Sequence, residues 1–125
     1  MPTIKDHIEK ARHNEKFFSS LDIKTTPFLD WVVNGIFYSA LHYVDSYLAI
    51  KGENPGEHRE RIGLIQREAN LGKPFFYYYM SLKDDSEEGR YNMRVFVPDE
   101  IDKDILPLLT KIKTHLKQYV TEIQI

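Results

Sequence analysis

Residues 30–50 read DWVVNGIFYSALHYVDSYLAI. Apolar side chains at Trp31, Val32, Val33, Ile36, Phe37, Leu41, Tyr43, Val44, Tyr47, Leu48 and Ile50 cover more than one narrow face of a helix. A helix greasy on most sides belongs at the centre of a bundle. Asn34, Ser39, His42, Asp45 and Ser46 interrupt the run, so a bilayer span would strand several polar groups in hydrocarbon. Gly35, Ser39, His42 and Ser46 recur at steps of four, three and four, with Asn34 and Asp45 beside them. A small, polar seam therefore crosses the rod.

On either side the pattern stays helical. Thr3 caps a first helix with Asp6 three residues on, and Ile4, Ile8, Ala11, Phe18 and Leu21 continue it to about Leu21. DIKTTP is a turn, after which Thr26 suits the N-cap and Pro27 the first position of the central helix, which runs to about Lys51. GENPG breaks the chain, and a third helix follows from about Glu57 to Leu71. LGKP separates it from a fourth, starting near Pro74, with Phe75, Tyr79, Leu82 and Ser86 on one face and Arg90 on the same line just past the end. YNMRVFVP reads as an irregular connection. Asp99 and Glu100 open a last amphipathic helix through Ile101, Ile105, Leu108, Ile112, Leu116, Tyr119 and Ile123, kinked by Pro107. With no repeat or linker, residues 1–125 form one domain. The expected fold is an all-α, up-and-down bundle of about five helices.

The composition sets limits on partners. The chain has 125 residues, 42% hydrophobic and 29% charged, long enough to build one core without staples. It has no Cys, which removes disulfides, thiol nucleophiles and Cys-type metal sites and fits a reducing compartment. The charged start MPTIKDHIEKARHNEK lacks the features of a secretion signal, so the expected location is cytoplasmic. Seventeen Lys plus Arg against nineteen Asp plus Glu give a net charge of -2, so any contact with nucleic acid must be local.

Common catalytic motifs are missing: no Gly-rich phosphate loop, HExxH, nucleophile elbow or EF-hand loop occurs. No His has Glu three residues before it, which removes the di-iron bundle site. Tyr38, His42 and Asp45 share one helical face, where the carboxylate could orient the imidazole for proton transfer or simply satisfy a buried histidine. His58 and Arg61 open the third helix in EHRER, a place that suits a phosphate or a solvated charged turn. Arg90 and Tyr91 follow the acidic run Asp84, Asp85, Glu87 and Glu88. Arg90 either pairs with those carboxylates or grips a phosphate while Tyr91 stacks on a base. His7, His42 and His58 come from three helices and offer a three-imidazole metal site as a further alternative. The preferred reading calls for no metal or cofactor.

Across nearly the whole chain, HIEKARHN (7–14), DWVVNGIFYSALHYVDSYLA (30–49), HRER (58–61) and SEEGRY (86–91) together resemble a small prokaryotic branch of HEPN-domain proteins. The matching residues include Asn14, Trp31, Tyr38, His42, His58, Arg61, Arg90 and Tyr91. The resemblance implies a helical homodimer from a superfamily associated with RNA or nucleotide binding and with toxin-antitoxin or defence systems. Many catalytic members are metal-independent ribonucleases with an Arg followed four to six residues later by His. No Arg here is so followed, and the third helix carries the reverse order, His58 then Arg61. The expected site is a cleft between the second, third and fourth helices. There Arg61, Arg90 and Tyr91 hold RNA or a nucleotide phosphate, and His42 and His58 donate hydrogen bonds or protons. Asn14, Tyr38 and Asp45 support them, with Asp45 orienting His42. The alternative is a non-enzymatic interaction module, dimeric or bound to a nucleotidyltransferase, in which the polar set is structural.

Overall fold

In the computed structural model, which describes all 125 residues, no strand forms and the chain is a bundle of five helices. The first, α1 (Ile4–Ser19), opens with a capping box: Asp6 N–H donates to Thr3 Oγ1 at 3.1 Å and Thr3 N–H to Asp6 Oδ2 at 2.8 Å. His7, Ile8, Ala11 and Phe18 form its buried face. That face lies antiparallel on α2 (Leu29–Ile50), where Ser39 Oγ donates to Ala11 O at 3.1 Å. Gly35 permits the approach, since a Cβ there would stand 3.1 Å from Phe18 Cβ.

Fifteen of the 22 residues of α2 are buried, and it touches α1, α4 and the last helix, as its all-round apolarity requires. It begins two residues later than Thr26 and Pro27 promise. The Thr26 hydroxyl accepts from Phe28 N–H in a local turn, and the first helical bonds run from Trp31 and Val32 N–H to Phe28 O.

The third helix, α3 (His58–Arg67), stops short of Leu71 because the chain becomes extended at Glu68, whose carboxylate accepts from Tyr47 OH at 2.6 Å. Gly72, at φ +83°, then starts α4 (Gly72–Tyr91) ahead of Pro74. Arg90 lies inside the last turn of α4 rather than beyond it. Residues 93–97 are irregular, as YNMRVFVP implies, with Met93 in the left-handed region at φ 58°.

The last helix, α5, is composite. Pro98–Glu100 and Leu106–Lys117 have α geometry, and Ile101–Ile105 between them is π-helical, with Leu106 N–H reaching back to Ile101 O. Pro107 accounts for this: it lacks an N–H for Lys103 O, and its ring would crowd that carbonyl, so the preceding turn widens. α5 ends at Lys117, not Ile123. The tail folds back, burying Val120 and Ile123, while Arg12 Nη2 and Lys117 Nζ donate to the carbonyls of Glu122 and Ile123. All five helices contribute to one apolar core. No helix is long and apolar enough to cross a membrane.

Candidate functional site: a polar strip along α2

Asn34, Tyr38, His42 and Asp45 lie on one side of α2, beside its seam, at steps of four, four and three. Each meets a different neighbour. Asn34 Oδ1 accepts from Ser86 Oγ of α4 at 2.6 Å, and Tyr38 OH accepts from Arg90 Nη1 at 2.8 Å. His42 faces His7 of α1, with Nδ1 atoms 3.3 Å apart and ring centroids 5.6 Å apart. Asp45 takes a two-pronged contact from Arg61 of α3: Nε to Oδ1 at 2.7 Å and Nη2 to Oδ2 at 3.0 Å.

The expected common pocket is thereby divided. Arg61 is buried, spent on Asp45, and turns its Nη2 also towards Pro55 O, so its guanidinium is not presented to a phosphate. The reason is local: Asp45 is buried on α2 and needs a counter-charge, which α3 supplies one turn from its start. For the same reason Asp45 does not orient His42. It is Arg61 that its two oxygens serve. His58 does not join His7 and His42 either. It lies against Phe37, with centroids 6.0 Å apart, and its Nδ1 is buried without a partner. The group of possible metal ligands is His7, His42 and Asp45.

Arg90 has the opposite fate. The acidic run that precedes it is taken elsewhere: Arg94 Nη1 reaches Asp85 at 2.6 Å and Glu88 at 3.3 Å, its Nη2 meets Glu100, and Lys83 holds Glu87. Arg90 makes no ion pair. Its guanidinium instead lies over the rings of Tyr38 and Tyr91, 5.5 and 5.0 Å from their centroids. It borders a cleft of about 440 Å³ formed by α1, α2 and α4, not by α2, α3 and α4. Asn14 and Phe17 of α1 line it together with Trp31, Asn34, Gly35 and Tyr38 of α2.

Donors without partners lie behind the surface of this cleft. Asn14 Nδ2 and Asn34 Nδ2 are buried and unpartnered, and Tyr38, which accepts from Arg90, keeps its own proton to donate. Phe17 and Trp31 are about half exposed at the rim. Asn34 and Phe17 were not legible as site residues. Asn34 carried a signal, standing beside the seam one turn before Tyr38, whereas nothing in the sequence marked Phe17.

Burial pushes the His42 imidazole down to about 4, with Asp45 opposing and His7 and Arg61 reinforcing. His58 is lowered too, by burial first and then by Arg61, Lys83 and Arg90. Both rings are neutral at pH 7. A base as weak as His42 is poorly matched to proton abstraction near neutrality. Compared with family models, curated proteins and solved structures, the chain finds no match.

Proposed function

We propose that this chain is a HEPN-like protein that binds RNA or a nucleotide through its phosphate, in the cleft headed by Arg90. The observation that carries this reading is a guanidinium left without a carboxylate beside two buried, unpartnered amide donors. The guanidinium offers charge-assisted hydrogen bonds to an anion, and a turn of the Asn14 amide would add a donor. Trp31 and Phe17 at the rim provide surfaces on which a base can stack, and Tyr91 holds Arg90 in place from the outside. The reading is of binding rather than hydrolysis, because His42 and His58 are weak bases and the Arg-then-His order is missing. Homodimerisation, a cytoplasmic location and a toxin-antitoxin or defence setting belong to the same proposal and rest on the family resemblance. A second reading, docking to a protein such as a nucleotidyltransferase, is favoured by one feature: Met93 and Val95, 89% and 86% exposed, line a separate surface cleft together with Pro27 and Leu29.

Fluorescence anisotropy with short labelled RNAs and labelled nucleotides tests the binding. Loss of a charge-assisted contact costs about 1.5–3 kcal/mol, so Arg90→Ala should weaken binding by about tenfold or more, with Arg90→Lys intermediate. Equal affinity of wild type and Arg90→Ala would remove Arg90 from the site. No binding by wild type, with a protein partner captured instead, would favour the docking reading.

A further inference from the structure

Beyond the Arg90 cleft, the strip holds a second constellation that phosphate binding does not use. His7 and His42 meet across the α1–α2 interface with their Nδ1 atoms 3.3 Å apart. Two nitrogens bound to one tetrahedral zinc at about 2.0–2.1 Å stand about 3.3–3.4 Å from each other. The observed separation is thus that of one edge of a zinc coordination tetrahedron. Asp45, one turn beyond His42, brings a carboxylate oxygen close enough that the three ligand atoms all lie within 4.8 Å of one another. We propose that His7, His42 and Asp45 form a binding site for a divalent transition metal, Zn²⁺ by choice of ligands, with the fourth position left to solvent.

Three features of the surroundings bear on it. Two of the ligands are held inside the bundle: His7 and Asp45 are 6% and 4% exposed, on α1 and α2, which pack against each other. Arg61 steadies the Asp45 carboxylate as an outer partner, and each of its oxygens retains a lone pair for the ion. His42 is half-buried, which leaves an approach from solvent. Ligation requires both imidazoles neutral with the proton on Nε2, so that both Nδ1 lone pairs face the ion. Burial already keeps His42 uncharged. Arg61 and Lys10 add positive potential at His42, so the ion must be held by ligand strength more than by charge. That selects an imidazole-seeking metal over Mg²⁺ or Ca²⁺, which require a shell of oxygens.

The test uses the full chain stripped of metal with a chelator and titrated with Zn²⁺ by calorimetry, then with Co²⁺ by visible absorption. The expected result is saturable one-to-one uptake, intense tetrahedral Co²⁺ bands, and NMR shifts at the ring nitrogens of His7 and His42. His42→Gln, checked for folding by circular dichroism, should weaken binding by more than the roughly 10–100-fold that loss of an outer partner costs. Should His7 or His42 variants fail to fold, the ring-nitrogen shifts of the wild type still decide. Absence of stoichiometric uptake overturns the proposal, as does uptake reported by His13, His58 or His115 with His7 and His42 unmoved. RNA binding plays no part in the readout, so either conclusion stands without the other.

Discussion

Arg61 and Arg90 both reach the same strip of α2, and what separates them is the supply of carboxylates. Asp45 is buried and claims Arg61, whereas Arg94 and Lys83 draw the acids of α4 away from Arg90. Truncating one member of a buried pair strands the other's charge, so Arg61→Ala should cost about 3–5 kcal/mol in urea denaturation. The double variant Asp45→Leu/Arg61→Met should recover most of that loss. A double variant as unstable as Arg61→Ala would show that the pair contributes something packing cannot replace. Sequence spacing placed Tyr38, His42 and Asp45 on one face correctly, but spacing within a helix is silent about partners on other helices. The rival for the acidic run, Arg94, lies past a left-handed turn at Met93 that no local pattern announces.

At the scale of elements, the joint between α4 and α5 is the most constrained. Gly89 stands against the Phe96 ring so closely that a Cβ there would fall 2.8 Å from Phe96 Cε2. Phe96 is buried and has the Arg94 guanidinium 4.5 Å from its ring centroid, so it cannot swing aside freely. Gly89→Ala should therefore destabilise the fold by about 1–3 kcal/mol, read as a lower urea midpoint with an unchanged slope. No loss would mean that the ring relocates at little cost. The existence and order of all five helices followed from apolar periodicity together with the breaks at DIKTTP, GENPG, LGKP and YNMRVFVP, because burying apolar faces is what selects helices. Their ends did not follow. Thr26 spends its hydroxyl on a turn, Glu68 leaves the helix to meet Tyr47, and the Ile123 side chain is buried by a folded-back tail instead of a helical face.

For the molecule as a whole, the neutral histidine inside the bundle couples stability to acidity. Unfolded, His42 takes up a proton near its ordinary 6.5; folded, it resists until about 4. As pH falls between those values the unfolded chain binds more protons, so the contribution of His42 is complete above about pH 6.5 and is lost on the way to 4. His58 acts in the same direction. Urea midpoints of wild type should fall across that window, and His42→Gln should flatten the decline; parallel curves would assign the sensitivity to other groups. The same whole-molecule view gives the wide turn of Ile101–Ile105 a meaning. Buried Ile101, Ile105 and Leu109 are spaced by four and four, a stagger that in plain α geometry would rotate steadily off the core. The looser winding takes up that surplus, as though one amino acid had been spliced into a straight rod and absorbed without turning the remainder. Excising a single residue there while replacing Pro107 would leave Ile112 and Leu116 aimed where they already are.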